Sequence, residues 1–404
     1  MTVEKHNPNH DDECLRSKSW SDLPQVLLIS VFERLSFTNY QRAKSVCWSW
    51  YSASTQSVPK NQIPWLVLFP EDDDKNDNFS CTVFNPEEKH KLYKTQDLGM
   101  EFAKSVCMAT YGSWLLMRDP RRDPLYNFHI VNLFTHERID LPCVELLWKD
   151  YELSIASDKR MRYRGISLRS PVFWVDEKTK DYLVAWGLRD WCVVYAKKGD
   201  TSWNQIPQTP DCYHMVYKDH NLYFLSYFYG VFKIFDFSGE IVKQTFQSCF
   251  PVETFQFGRQ IRLPSNSWSV CATQLVVTVA GNVLKVEKCW RARDRSWSFR
   301  LYKVYSSGGF IKKRERIHSL DDDEFMLFDQ GITVLANNTH DGGFIRRNCI
   351  YFNAACHGKK NTNDTCFIFN LETQETKELH TLFDTSPIQF SRAQWFLPSF
   401  TKRT

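Results

Sequence analysis

The stretch WSDLPQVLLISVFERLSFTNYQRAKSVCWSWY, residues 20 to 51, decides how this chain is organised. Pro24 stands where the first turn of a helix accepts proline, after a polar lead-in through Ser21 and Asp22. Leu23, Leu27, Val31 and Leu35 then recur at a spacing of four and line one stripe. Val26, Leu28, Ile29 and Phe32 lie outside that stripe, so the helix is apolar around most of its circumference. After a polar turn through Ser36, Thr38 and Asn39, a second apolar group, Val46, Cys47, Trp48 and Trp50, closes a unit of two or three short helices. So short a run cannot bury that much apolar surface by itself, and the surplus predicts a protein partner. A helix-turn-helix reader of DNA is also built from short helices. Here the candidate recognition helix carries only Arg42 and Lys44 as cations, too few to neutralise several phosphates.

At these residues the chain resembles an F-box, the adaptor-binding module of SCF-type ubiquitin ligases. The resemblance rests on Leu23-Pro24 opening the first helix, the apolar LLISVF run, the Glu33-Arg34-Leu35 close, and Val46-Cys47 followed by Trp50-Tyr51. It implies a Skp-type adaptor as partner and, through it, a cullin scaffold. Carried over by position, the implied adaptor contacts are Leu23, Pro24, Leu27, Leu28, Phe32, Leu35, Val46, Cys47 and Trp50. The chain departs from the family pattern twice. It has Ser36-Phe37 where a proline commonly follows the first helix, and Trp48 where a basic residue commonly stands between the cysteine and the tryptophan.

At 404 residues the chain has room for a large domain, or two ordinary ones, after this small module. Aromatic residues make up 15% of it, far more than a disordered tail carries, so the remainder is globular and only the first 18 residues read as polar and unstructured. The net charge of +4 comes from interspersed acids and bases, a pattern that does not suggest nucleic-acid or membrane partners. No N-terminal segment has the basic start, apolar stretch and small-residue cleavage site of a signal peptide. The thirteen cysteines, an odd number lying mostly beside apolar neighbours, then read as reduced, buried small hydrophobes in the cytoplasm or nucleus. There is no CxxC pair, and the spacing of Cys349, Cys356, His357 and Cys366 fits no common zinc module, so no metal or other cofactor is expected.

Beyond about residue 60 the texture changes to short aromatic and β-branched runs separated by turns of Asn, Asp, Gly and Pro, which is all-β texture. The acidic stretch Glu71 to Asn78 reads as a solvated loop at the end of a linker spanning 61–78. A loose repeat follows, in which an apolar strand enters an Asn or Asp turn and a second strand leaves it. It occurs from Val83, Ile130, Val193, Ile234 and Ile368, with a more degenerate copy from Arg291. Units that recur in this way bury their faces against their neighbours. At roughly 40 to 50 residues for a four-stranded blade, residues 79–398 predict a β-propeller of about six to eight blades, with a pair of β-sandwiches as the structural alternative and 399–404 as a tail. LLMRDPRRDPLYNFHIVNLFTHERIDLP from Leu115 and DYLVAWGLRDWCVVYAKKGDTSWNQIP from Asp181 are similar to blades of the plant F-box proteins whose C-terminal part is a KIB-type β-propeller, and IFNLETQETKELH from Ile368 to their last blade.

The sequence contains no nucleophile elbow, phosphate-binding glycine loop, zincin motif or dinucleotide fingerprint, so no enzyme is expected. His136-Glu137 reads as a solvated turn pair, Asp321 to Glu324 as a loop cap on a strand, and Lys312, Lys313, Arg314 and Arg316 as exposed loop charge. Arg160, Arg162 and Arg164 fit the polar face of a strand, and Tyr227, Phe228 and Tyr229 are the aromatic run that cannot all face one core. The function expected is a substrate receptor: the helical module docks the adaptor, while the propeller captures an unidentified target protein for ubiquitination. The alternative is a propeller-based enzyme or small-ligand receptor, with polar groups converging in the channel and the helices as a structural cap.

Overall fold

The computed structural model describes residues 19–57, 63–69, 80–86, 88, 91–119, 127–144, 168–188, 191–226, 230–249, 267–306, 309–321, 323–336, 345–354, 366–378 and 393–399. The chain divides into two compact units, residues 1–60 with 402–404, and residues 61–401.

In the first unit, a 3-10 turn over Trp20–Asp22 is closed by a capping box: the Ser19 hydroxyl accepts the Ser21 N–H, and the Asp22 carboxylate accepts the Ser19 N–H. Pro24 then serves as N-cap of α1 (Gln25–Phe32). Ser36 stands at the N-cap position of α2 (Phe37–Ala43) and Cys47 at that of α3 (Trp48–Gln56), neither with a side-chain cap hydrogen bond. Three helices thus form, and Thr38 and Asn39 lie inside α2, not in the turn expected there. Tertiary contact explains the difference. Tyr40, carried by α2, is buried, and its hydroxyl donates to the Ser54 carbonyl of α3 at 2.5 Å, which holds the second helix against the third.

The second unit is all-β apart from short helical turns. Its chain begins with β1 (Trp65–Leu68), β2 (Thr82–Phe84) and β3 (Leu92–Lys94), followed by a one-turn α4 (Gly99–Lys104). Three antiparallel four-stranded meanders come next. The first is β4 (Val106–Tyr111), β5 (Trp114–Asp119), β6 (Asn127–Asn132) and β7 (Arg138–Asp140). The second is β8 (Leu168–Val175), β9 (Tyr182–Leu188), β10 (Cys192–Lys197) and β11 (Asn204–Ile206). The third is β12 (Cys212–Lys218), β13 (Asn221–Ser226), β14 (Val231–Asp236) and β15 (Lys243–Cys249). A fourth meander follows, with longer strands: β16 (Ser269–Val277), β17 (Val283–Arg291), β18 (Ser296–Ser306) and β19 (Gly309–Ile317).

The remaining strands are β20 (Glu324–Leu327), β21 (Ile332–Leu335), β22 (Cys349–Asn353), β23 (Cys366–Asn370) and β24 (Thr376–Glu378). They join the fourth meander through one parallel bridge, Val277 to Ile332, and make a sixth blade in which β20 and β22 run parallel. Finally β25 (Ala393–Phe396) returns to pair antiparallel with β1, Trp65 opposite Phe396 and Leu68 opposite Ala393, giving the order β25-β1-β2-β3. The last described strand is therefore the innermost strand of the first blade, which closes the ring.

The packing shows why a ring and not a sandwich. Each sheet presents one set of alternate residues to the sheet before it and the other set to the sheet after it. On β9, Val184 and Trp186 meet Leu116, Phe128 and Ile130 of the preceding blade, while Leu183 and Ala185 meet Met215, Leu222 and Phe224 of the following one. On β16, Leu275 and Val277 pack toward Tyr223 and Phe232, and Val276 toward Met326 and Phe352. Strands buried on both faces read as unbroken apolar runs, and all of β9 is buried. Two sandwiches would bury one face of each sheet only.

All six repeat units read from the sequence are hairpins: β2 with β3, β6 with β7, β10 with β11, β14 with β15, β17 with β18 and β23 with β24. Their turn residues act as the pattern requires. Asn132 Oδ1 accepts the N–H groups of Phe134 and Thr135, and Asn370 Oδ1 those of Glu372 and Thr373.

Two boundaries need correction. Residues 61–78 are not simply a linker, because Trp65–Leu68 is a fully buried strand hydrogen-bonded on both edges. A four-residue apolar run beside an acidic stretch gave no sign of its partner β25, more than 300 positions away in the chain. Likewise Ser399, at the start of the expected tail, is hydrogen-bonded to Ser113.

Candidate docking surfaces

The helical module is organised around Phe32, which is fully buried and makes edge contacts with Tyr40 at 5.2 Å and Trp50 at 5.8 Å. Leu28, one turn earlier on α1, is equally buried. The inward stripe of α1 is thus Leu28 and Phe32, and the sequence stripe of Leu27 and Val31 faces out. Trp50 is half-buried, and its indole N–H donates to the Trp20 carbonyl at 3.1 Å. The Ser49 hydroxyl donates to the Ser21 carbonyl at 3.2 Å, so the opening turn and the start of α3 are fastened together.

The nine sequence-assigned contact residues therefore fall into three groups. Leu28 and Phe32 are the module's own core and offer no surface in this conformation. Leu23, Leu35, Cys47 and Trp50 are half-buried. Pro24, Leu27 and Val46 are exposed, Leu27 at 52% and Val46 at 60%. The Cys47 sulfur lies 3.1 Å from the Ser49 hydroxyl, and that hydrogen bond, with the Trp50 N–H, lowers the thiol below its usual range. The structure adds exposed apolar residues that the assignment left out: Trp20, Val26, Val31, Trp48 and Tyr51. For Val26, Val31, Trp48 and Tyr51 the legible signal was the lack of charge around them. Neither Gln25–Phe32 nor Ser45–Ser57 contains a single charged residue, which is unusual for helices with so much of their surface in water.

In the propeller, the first strands of successive blades neighbour one another, β25 with β4, β4 with β8, β8 with β12 and β12 with β16. The turn Phe328–Gly331 lies among them. Gln330 Nε2 donates to Thr110 Oγ1 of β4 at 2.9 Å and to the Trp395 carbonyl of β25 at 2.7 Å. Gly331, with φ of 67°, is pressed against β12 and β16, and a Cβ there would stand 2.5 Å from Val216 Cγ2 and 2.9 Å from the Leu275 carbonyl. One turn thus touches four of the inner strands, where an enzyme or small-ligand receptor of this architecture would keep its polar channel.

The buried ionisable groups are used between and within blades. Lys285 faces Glu287 at 2.7 Å in the fourth meander. Lys288 donates to the Asn353 carbonyl at 3.0 Å and lies over the rings of Trp297, Phe328 and Phe352, between the fourth meander and the sixth blade. Glu137, read as a solvated turn residue, pairs with Lys180 of the next blade at 2.7 Å. Asp321 and Asp323 are exposed, whereas Glu324 is buried on β20. Arg316 is exposed, and the side chains of Lys312, Lys313 and Arg314 lie outside the described residues. Arg160, Arg162, Arg164, Tyr227, Phe228, Tyr229, Cys356 and His357 also lie outside them. Cys349 and Cys366 are separately buried thiols, and among the described residues no group of three or more His, Cys, Asp or Glu could hold a metal. No described helix is long and apolar enough to cross a membrane.

Comparison with known proteins agrees with this division of the chain. Residues 20–61 match the F-box domain and residues 83–370 match the KIB1-4 beta-propeller. The Arabidopsis thaliana protein named "Putative F-box protein At4g22170" is 61% identical over 398 residues, covering 98% of this chain and 99% of its own length. "F-box protein At1g69090" of the same plant is 38% identical over 425 residues, covering 100% of this chain and 95% of its own. An F-box joined to a propeller defines an adaptor-type protein. This chain belongs to the plant F-box proteins that carry a KIB1-4 beta-propeller. F-box domains generally bind Skp1-type adaptors within SCF complexes.

Proposed function

We propose that this protein is the substrate-recognition subunit of an SCF-type E3 ubiquitin ligase. Its helical module docks a Skp-type adaptor, which links it to a cullin scaffold, and its propeller binds a target protein. The observation that supports this most is the exposed apolar residues on the two charge-free segments of the module, Gln25–Phe32 and Ser45–Ser57, with Leu27 and Val46 more than half exposed. Of the other implied contacts, Leu28 and Phe32 are buried in the core of the module, and Leu23, Leu35, Cys47 and Trp50 are half-buried. The chain performs no bond chemistry. It raises the effective concentration of a target lysine near the ubiquitin-charged enzyme held by the scaffold. The turn at Gln330 and Gly331 lies against inner strands where a small-ligand receptor would keep its channel, which weighs against that role. We place the protein in the cytoplasm or nucleus, where free thiols such as its eleven described cysteines persist.

Co-purification with a Skp-type adaptor tests the reading, using the full chain, a deletion of residues 19–55, and Leu27→Ala. The full chain should retain the adaptor and the deletion should lose it. Leu27→Ala should weaken binding by about 30-fold, corresponding to roughly 2 kcal/mol for a central anchor. A folded full-length chain that ignores the adaptor overturns the assignment.

A further inference from the structure

In a four-stranded antiparallel meander, the turn from first strand to second and the turn from third to fourth emerge at the same end of the sheet. Around the ring these ends meet on one face. Trp174, near the end of β8, lies against His220 in the β12–β13 turn with ring centroids 5.3 Å apart, and Lys218 at the end of β12 donates to the Thr278 carbonyl in the β16–β17 turn. Among the described residues, all but one of the large apolar side chains exposed on the second unit stand on this face. Leu92, Phe134 and Ile241 lie at turns from third strand to fourth. Tyr111 ends β4, Val279 follows β16, and Leu335 ends β21, which runs on parallel to β16 past the Val277–Ile332 bridge. Met100, on α4 between β3 and β4, is the exception and lies at the opposite end.

Tyr111, Val279 and Leu335 lie toward the centre of that face, and carboxylates stand between them. The Tyr111 ring is exposed while its hydroxyl is hydrogen-bonded to Trp174; burial first, and with it the negative charges of Asp219, Glu177 and Asp176, push its phenol up to about 12. Leu335 is paired across the strands with Glu324, which is 3% exposed and whose Oε2 has no hydrogen-bond partner. Asp321 and Asp323, just before it, are exposed. Of the nearby cations, Lys180 is engaged by Glu137 and Lys218 by the Thr278 carbonyl, which leaves Lys178 exposed. Arg346 and Arg347 precede β22, the next strand outward from β20. The centre of the face is therefore acidic, with aromatic and aliphatic surface set among the charges.

We propose that the propeller holds its target on this face, around Tyr111, Val279 and Leu335, through a segment of the target that carries Lys or Arg beside an apolar side chain. This rests on the reading of the propeller as a target receptor. Carboxylates and aromatic ring faces both attract a cation, and the exposed apolar residues take its neighbour. An acidic segment would meet like charge here. A second copy of this chain, docked through the same face, would bring the two sets of carboxylates together and is disfavoured for the same reason.

The test is selection of a random dodecapeptide phage library on the immobilised full chain. The enriched peptides, made synthetically, are then titrated by fluorescence anisotropy against the parent, Asp219→Asn, Tyr111→Ala and Met100→Ala, with thermal unfolding of each chain and adaptor co-purification in parallel. Asn suits position 219, whose φ of 49° is left-handed. The peptides should carry Lys or Arg next to Leu, Phe or Tyr and lose affinity as salt is raised. Asp219→Asn should weaken them about threefold and Tyr111→Ala about tenfold, with Met100→Ala unchanged. If Tyr111→Ala lowers the unfolding temperature, Leu335→Ala takes its place. A library that yields no binders, binders without basic residues, or binders indifferent to the substitutions on this face overturns the proposal. A parent that selects basic peptides here but ignores the adaptor keeps the face and removes the ligase reading; one that holds the adaptor and selects none removes the face alone.

Discussion

Ser113 and Ser399, 286 positions apart, donate their backbone N–H groups to each other's hydroxyl: Ser399 N–H to Ser113 Oγ at 3.0 Å, and Ser113 N–H to Ser399 Oγ at 3.2 Å. The Ser399 hydroxyl also donates to Glu177 Oε1 at 2.5 Å, the oxygen that accepts the Trp114 indole N–H at 2.8 Å. Closure of the ring by β25 is thus reinforced by a clasp that reaches onto the second and third blades.

Ser399→Ala removes the acceptor of a backbone N–H and a charge-assisted bond to a carboxylate, and should cost about 1–3 kcal/mol. Denaturant unfolding of the full chain reads it as a lower midpoint with an unchanged slope. A chain ended at Arg392 lacks β25 as well and should lose cooperative unfolding of the propeller, since β1 is left with an unpaired inner edge.

Gly331→Ala puts a side chain on a left-handed backbone against the Leu275 carbonyl and Val216. The backbone strain alone is worth about 1–3 kcal/mol. Because that turn touches inner strands of several blades, thermal unfolding should shift downward as a single transition. A variant as stable as the parent would show that the turn is free to move away.

Phe32→Ala and Leu27→Ala should separate along the line between core and surface. Phe32 is fully buried between Tyr40 and Trp50, so its truncation costs about 3–5 kcal/mol and should melt so small a module. Leu27 is half in water, so its truncation should leave helicity by circular dichroism intact and lower adaptor affinity alone. Loss of helicity in Leu27→Ala would contradict the exposure described.

His129, buried on β6, has its pKa pushed down to about 4, by desolvation first and by the neighbouring Arg138 charge second. The folded state therefore keeps a neutral imidazole that the unfolded chain protonates near its ordinary value of 6.5. This contribution to stability is fully present above pH 6.5 and is lost as pH falls from there toward 4, by at most about 3 kcal/mol. Urea unfolding at pH 7.5 and 5.0 should show a drop in the parent that is smaller in His129→Phe. An equal drop in both would assign the pH dependence to other groups.

The helical module and the hairpins were legible because their signals are local. Helix caps, the uncharged apolar runs and the Asn or Asp side chains that fold back on their own turns act within a few residues, and the six hairpins form where those signals stand. The expected adaptor contacts were less so. Spacing alone gives α1 two equivalent apolar stripes, and only the positions of Tyr40 and Trp50 turn Leu28 and Phe32 inward and leave Leu27 and Val31 outside.

By itself the sequence determined a partner-seeking helical module followed by a repeated β domain, since composition, charge and turn chemistry are properties of short segments. Tertiary structure alone decided that β1 belongs to the propeller, that the six blades made by the described strands close through β25, and that the Gln330 turn sits among the inner strands. Each of these depends on contacts between residues hundreds of positions apart, whose pairing follows from shape and burial and leaves no mark on either segment taken separately.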